Sequence, residues 1–173
     1  MSDKMVKYIE MALSEGANHA VAVRPDEIVF DGRTLLKCMF GCKDWGKGCT
    51  CPSKEGFLKP WEIKPLLCMY HSVLIIHSNS KQVAQDVAYL IEREAYFDGD
   101  ALAFSMSDCA ICANCAGKTG ENCRDPQRAR PAFHSVGIDV FSTVNKLGLP
   151  LKALTHINMP QNWYSAVWLN TDL

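Results

Sequence analysis

The sequence predicts an α/β fold: one domain in which a mixed β-sheet is flanked by helices and carries two cysteine-rich metal-binding loops. Helical and strand patterns alternate along the chain, which is typical of helices packed on a sheet. Of the 173 residues, 48% are hydrophobic, and no linker or low-complexity segment divides them. Residues 1–173 are therefore predicted to form a single domain with its own core.

The elements before the first cysteine-rich segment begin with an amphipathic helix. Ser2 can cap this helix and Gly16 can end it. Short apolar runs follow, and Asp31-Gly32 has the composition of a turn. The predicted elements in this part are a helix over residues 3–15, a strand over His19–Val23 and a strand over Glu27–Phe30.

The later elements include two apolar strands without alternation, a pattern that indicates burial on both faces. Between these strands, Ser80 can cap a helix whose apolar residues recur on one side. The predicted elements are a glycine-rich loop over Cys38–Ser53, a helix from Pro60 to about Tyr70, a strand over His71–His77, a helix from Ser80 to about Phe97, a strand over Ala101–Met106, helices over Pro126–Ser135 and Asp139–Lys146, and a strand over Tyr164–Leu169.

Composition excludes several classes of function. The formal net charge is −1, from 18 basic and 19 acidic residues, and no basic cluster indicates nucleic-acid binding. No apolar stretch approaches the ~20 residues that a membrane helix needs, and residues 1–10 do not resemble a signal peptide. We therefore expect a cytoplasmic protein. In a reducing compartment, nine cysteines favour metal binding over disulfides.

The second cysteine-rich segment has the spacing C-x2-C-x2-C-x7-C, formed by Cys109, Cys112, Cys115 and Cys123. Three cysteines at successive spacings of three let one loop deliver thiolates to three irons of a cluster. A structural zinc site usually takes two separated cysteine pairs instead. The spacing therefore predicts a [4Fe–4S] cluster, and zinc is the alternative.

The first segment has the less familiar spacing C-x3-C-x6-C-x-C. Cys38, Cys42 and Cys51 are the preferred ligands here, with Cys49 as the candidate fourth. Side chains two residues apart on an extended backbone point to opposite sides. Cys49 and Cys51 are therefore not expected both to reach one metal easily. If this segment binds metal too, the protein holds two clusters rather than one.

The two segments resemble a family of cysteine-rich proteins of unknown function, described as predicted metal-binding proteins and found in anaerobic archaea and bacteria. The residues that carry the likeness are KCMFGCKDWGKGCTCPS, at Lys37–Ser53, and CAICANCAGKTGENCRDPQRARPAFHSVGIDVF, at Cys109–Phe141. Ser53 stands where the family pattern has the second proline of C-P-P. The resemblance implies metal or iron–sulfur binding in an anaerobic setting, and it supplies no reaction.

Residues outside the two segments carry weaker signals. Arg124 follows a predicted ligand and could face a cluster, whereas Arg128 and Arg130 fit a solvated helix face. Cys68 lies among apolar residues and is expected in the core. No histidine is assigned as a ligand, because enough cysteines are present.

Three hypotheses for function follow. A cluster ligated entirely by thiolates has no open position, which suits electron transfer or redox service to a partner enzyme in anaerobic metabolism. If the first segment supplies only three thiolates, one iron would be open, and the protein could be an enzyme. The third hypothesis is an interaction module whose zinc only stabilises the fold. Whether Cys49 binds metal at the first segment discriminates between the first two hypotheses.

Overall fold

The computed structural model describes residues 1–109, 111–156 and 158–173; Ala110, within the second cysteine-rich segment, and Ile157 lie outside the described residues. The elements alternate between helix and strand as predicted. Helix α1 spans Asp3–Ser14, α2 Thr34–Gly41, α3 Pro60–Leu67, α4 Lys81–Phe97 and α5 Val140–Lys146; strand β1 spans His19–Val23, β2 Ser72–Ser78, β3 Phe104–Ser107 and β4 Trp163–Leu169.

The four strands of the described residues form one sheet in the order β1-β2-β4-β3. Every neighbouring pair is antiparallel, so the expectation of a mixed sheet is wrong. The reason lies in the position of β4. Strands β2 and β3 run parallel to each other and are connected through α4, but β4 is inserted between them in the opposite direction. This split β-α-β arrangement leaves no parallel neighbours.

One face of the sheet is covered by α1 and α4. Met5 and Tyr8 of α1 and Ile91 of α4 are fully buried against Leu74 and Ile76 of β2. The caps are those that the sequence predicts, because Ser2 and Ser80 accept hydrogen bonds from the backbone N–H groups three residues on. This layer contains no cysteine of either segment.

The opposite face of the sheet is covered by the remaining helices and by irregular segments. Trp168 of β4 and Ile75 of β2 are buried there against Phe133, Val136 and Ile138. These last three residues belong to the stretch that follows the second cysteine-rich segment. The core on this face therefore anchors the cysteine-bearing segments to the sheet.

Two predicted elements are wrong. Residues 27–30 contain no strand: a 3₁₀ turn spans Pro25–Glu27, and Phe30 makes only an isolated bridge to Ile138. The helix predicted over Pro126–Ser135 is also missing, and only a 3₁₀ turn forms, at Phe133–Val136. Pro131 disfavours helix in the residue before it. The Arg130 side chain donates instead to the carbonyl oxygens of Gln127 and Ala129.

Among the described residues, no helix combines the length and the apolar composition needed to cross a membrane.

Candidate metal centre

The first thiol group is built on α2 and the loop that follows it. The sequence predicts a loop from Cys38 onwards, but Cys38 lies inside α2 and Cys42 is its C-cap. Helix α2 contains the good helix formers Leu35, Leu36, Lys37 and Met39. Because four residues make about one helical turn, Cys38 and Cys42 lie on the same side of α2. Cys38 is buried, whereas Cys42 is exposed.

Cys51 completes this first thiol group from the loop. Burial raises the pKa of Cys38 to about 11, and the neighbouring thiols of Cys42 and Cys51 add to the effect. The Gly46 N–H donates to Cys51 Sγ at 3.3 Å, and Ser53 Oγ lies 3.1 Å from the same sulfur. Burial raises the pKa of Cys51, but these contacts with Ser53 and Gly46 outweigh it and lower the pKa overall. The group therefore has donors that would stabilise a bound thiolate.

Cys49 turns away from this first group. Its thiol lies beside Cys115 and Cys123, and burial followed by these two neighbours raises its pKa. Cys51, two residues further on, faces Cys38 instead. The short segment Cys49-Thr50-Cys51 thus contributes one thiol to each group. The Cys51 N–H donates to the Gly48 carbonyl oxygen at 3.1 Å, so a turn over these residues directs the two thiols to different groups.

The second thiol group surrounds a cavity of about 190 Å³. Five cysteines line it: Cys49, Cys109, Cys112, Cys115 and Cys123. A 3₁₀ turn at Ala116–Thr119 directs backbone N–H groups at the sulfur of Cys115. Burial raises the pKa of this thiol, but hydrogen bonds from the N–H groups of Gly117, Cys49 and Lys118 outweigh it and lower the pKa.

Gly117 is where the two cysteine-rich segments touch. A Cβ at this position would lie 2.4 Å from the carbonyl oxygen of Lys47 and 2.8 Å from Cys49 Sγ. Both distances are shorter than any ordinary contact, so only glycine allows the approach. The sequence alone does not predict this contact, because a glycine after Cys115 and Ala116 could equally mark a turn.

Charged side chains surround the cavity in pairs. Lys81 binds Asp108 at 2.8 Å, and Lys118 of the 3₁₀ turn binds Asp44 of the first segment at 3.4 Å. Arg124 lines the cavity, and its guanidinium binds Glu121 at 3.2 Å. The predicted proximity of Arg124 to the second thiol group agrees with this placement.

No three His, Cys, Asp or Glu side chains among the described residues are close enough to bind a single metal ion. Zn–S bonds of about 2.3 Å would bring all ligand atoms of a zinc site within about 4 Å of one another. A cluster has a wider requirement, because each thiolate binds a different iron. Five thiols line this one cavity, one more than a [4Fe–4S] cluster would take, and amide N–H groups donate to the sulfur of Cys115.

Other residues that the sequence singles out lie apart from the thiol groups. Cys68 is exposed at the C-cap of α3, so its expected burial in the core is wrong. Arg130 is not on a solvated helix face either, because it forms a largely buried ion pair with Glu92. His71 lies beside Asp172 at 3.2 Å. Buried His77 contacts His19 and Asn162.

The fold and these thiol groups define a class: a small α/β protein with cysteine-rich segments held against one face of an antiparallel sheet. The chain belongs to the family of predicted metal-binding proteins designated DUF2284, whose profile matches residues 21–169. The matched region contains both thiol groups, and the resemblance expected from the sequence is confirmed. No curated protein and no solved structure matches the chain significantly.

Proposed function

We propose that this protein is an iron–sulfur protein that transfers electrons to or from a partner protein. The observation that carries the proposal is the convergence of five cysteines from both segments on one cavity. Cys109, Cys112, Cys115 and Cys123 would hold a [4Fe–4S] cluster there, with Cys49 as a fifth thiol beside them. Such a cluster, when bound, supplies a one-electron couple.

The residues around the cavity would adjust the reduction potential of that cluster. Backbone N–H groups that donate to ligand sulfurs stabilise the more negative, reduced state of a cluster. Those of Gly117 and Lys118 have this orientation toward Cys115. The ion pairs at Lys81 and Lys118 keep polar groups at the rim of the cavity. A surface of this kind suits contact with a charged redox partner.

A second candidate function is an iron–sulfur enzyme, and the orientation of Cys49 favours it. Because Cys49 turns to the second group, the first keeps only Cys38, Cys42 and Cys51. A cluster held by three thiolates has one iron without a protein thiolate, and that iron can act as a Lewis acid. One molecule could perform both functions, because Cys49-Thr50-Cys51 connects the first thiol group to the second.

The test is metal analysis of protein purified without oxygen, combined with cysteine variants. We expect about four irons and four sulfides for each filled cluster, a broad band near ~400 nm, and bleaching by dithionite. Cys112→Ser with Cys115→Ser should remove one cluster, and Cys38→Ser with Cys42→Ser the other. Exposed Cys68→Ser is the matched control and should retain all of the iron. Stoichiometric zinc without sulfide would overturn the redox function and leave a zinc-stabilised module.

The two candidate functions differ in one spectroscopic response. Cyanide should change the electron paramagnetic resonance spectrum of a cluster only where an iron lacks a thiolate. If the signal changes in the wild type but not in Cys38→Ser with Cys42→Ser, the first group has an open iron. If cyanide changes neither spectrum, the enzyme hypothesis loses its support and electron transfer stands alone.

A further inference from the structure

An apolar groove lies between α3 and β3, on the face of the sheet opposite to α1 and α4. Its volume is about 420 Å³. Buried Leu67 and Met106 line it together with partly buried Tyr70 and Phe104. The Tyr70 hydroxyl is already engaged, because it donates to the carbonyl oxygen of Leu102 at 2.6 Å. Among the described residues, no charged side chain lines the groove.

Large apolar side chains are exposed to solvent around this groove. Leu58 and Leu66 line it directly. Trp61 is on the first turn of α3, and Met69 follows the C-cap of that helix. Leu102 is held beside the groove by the hydrogen bond from Tyr70. These five residues form what we call the α3 patch, and their exposed fractions are 46% for Leu58, 67% for Trp61, 50% for Leu66, 73% for Met69 and 72% for Leu102.

The α3 patch is large enough to form the centre of a protein–protein interface. A large apolar side chain has roughly 100–250 Å² to bury, so the patch exposes on the order of 500 Å² of apolar surface. The largest apolar patch of a typical monomer is ~300–600 Å² and is often functional. A stable interface buries about 800 Å² of each partner. The α3 patch alone would therefore supply more than half of one side of such an interface.

The composition of the α3 patch favours a second copy of this chain over a transient partner. Transient interfaces are about as polar as the remaining protein surface, whereas homodimer interfaces are more apolar. A two-fold interface joins the same surface of both copies, so that surface must contain a recess and side chains that project. The face of α3 has both, because Trp61 and Met69 project from the helix that lines the groove. The charges of Glu62 and Lys64 on α3 cancel, so two copies of this helix do not repel each other through net charge.

We propose that two copies of this protein form a symmetric dimer through α3, with Trp61 and Met69 of each copy packed into the groove of the other. Leu58 and Pro131, which line the groove, belong to the stretches that follow the first and the second cysteine-rich segment. The dimer therefore holds both stretches at its interface. Dimerisation requires no metal, so its failure would leave the proposed cluster and the electron-transfer function unaffected.

Light scattering after size-exclusion chromatography tests the proposal on the full-length protein. We expect a mass of about 39 kDa, twice the 19.3 kDa of one chain. The dimer should persist at ~50 µM protein, with a Kd of about 1 µM or tighter. A reductant is present throughout, so a disulfide between exposed Cys68 side chains cannot produce the dimer. A mass of 19.3 kDa at ~50 µM would overturn the proposal and leave the groove to a different protein.

Variants localise the interface. Leu66→Glu should weaken the dimer at least ~100-fold, because it brings a carboxylate into an apolar contact. Leu66 is half exposed, so its variant is expected to fold, and circular dichroism checks this. The matched control is Leu13→Glu, since Leu13 is 47% exposed but belongs to α1 on the other face of the sheet. This control should remain a dimer.

Met69→Glu provides a second test at the same interface. Met69 is more exposed than Leu66 and follows the end of α3, so this variant decides the question if Leu66→Glu does not fold. We expect it to be a folded monomer at ~50 µM. A dimer that persists in folded Leu66→Glu or Met69→Glu would reject the α3 interface, and so would equal weakening by Leu13→Glu.

Discussion

Arg130 connects the segment after Cys123 to the sheet through a largely buried ion pair. Its guanidinium binds both oxygens of Glu92, at 2.9 Å through Nε and more closely through Nη2. The two side chains are only 13% and 14% exposed. Glu92 also accepts from the backbone N–H of Ser105 in β3 at 2.8 Å. One carboxylate thus joins α4, β3 and the cysteine-bearing segment.

Arg130→Met should destabilise the protein by ~2–3 kcal/mol, because it leaves the largely buried Glu92 carboxylate without its charged partner. Arg128→Met is the control. Arg128 is 40% exposed, and its contacts with Asp86 and Asp125 are 3.5 Å long. Its loss should cost ~1 kcal/mol or less. Urea unfolding of the two variants measures the difference, and equal losses would contradict a specific role for Arg130.

The pair of His19 and His77 predicts a dependence of stability on pH. The two Nδ1 atoms are 2.9 Å apart, and His77 Nε2 lies 2.8 Å from the side-chain oxygen of Asn162. His77 therefore donates to Asn162 and accepts from His19, which requires a neutral ring. Burial lowers the pKa of His77 below its ordinary 6.5, despite the contact with Asn162.

Because the folded pKa of His77 lies below the unfolded one, the unfolded chain takes up the proton first as the pH falls. The associated stability is complete above pH 6.5 and is lost as the pH falls through the folded pKa. We expect the free energy of unfolding to decrease as the pH falls below about 6.5. His77→Gln should flatten this slope, and exposed His71→Gln should not. Parallel pH profiles for all three proteins would refute the assignment.

Residue-level patterns predicted the thiols but not their grouping. Alternation along an extended backbone predicts that Cys49 and Cys51 diverge. The two thiols do lie beside different cysteines, but a turn that begins at Gly48 separates them, not an extended segment. Alternation does not tell which group each joins, because that depends on a contact between segments more than 60 residues apart in the sequence. The assignment of all eight thiols as metal ligands remains a prediction.

At the level of elements, the contact of Gly117 with residues 47–49 holds the two cysteine-rich segments together. Gly117→Ala should push Cys49 away from Cys115, since the new Cβ has no room beside Lys47. We expect the iron of the cluster proposed for the second thiol group to be lost, with little change in secondary structure. Gly32→Ala is the control, because a Cβ there meets nothing within 4 Å. Metal analysis with circular dichroism separates these outcomes, and full iron in Gly117→Ala would contradict them.

Sequence reasoning succeeded for elements with local signals. Caps at Ser2 and Ser80 predicted the starts of α1 and α4 to within a residue. It failed where a tertiary contact overrides the local pattern. Arg130 binds carbonyl groups and Glu92, so residues 126–130 do not form the helix that their composition suggests. The direction of β4 was likewise not predictable, because strand pairing is nonlocal.

For the whole molecule, the two faces of the sheet should respond differently to removal of metal. The core formed by α1 and α4 contains no cysteine of either segment, whereas the opposite face anchors both. Treatment with a chelator and an oxidant should therefore raise hydrogen exchange in residues 38–58 and 109–131. Buried amides of α4 and β2 should keep their protection. Uniform loss of protection would contradict this prediction and would show that metal binding and folding of the whole sheet are cooperative.

The strand order has a consequence for biosynthesis. β4 lies between β2 and β3, yet it is made after both and after all nine cysteines. At ~5–20 residues per second, a ribosome needs several seconds to proceed from Cys123 to Leu169. During this interval the nascent chain cannot close its sheet, and its thiols have no finished scaffold. If the thiols bind metal as we propose, we expect delivery to follow the translation of β4, with a reductant or a carrier protecting the cysteines until then.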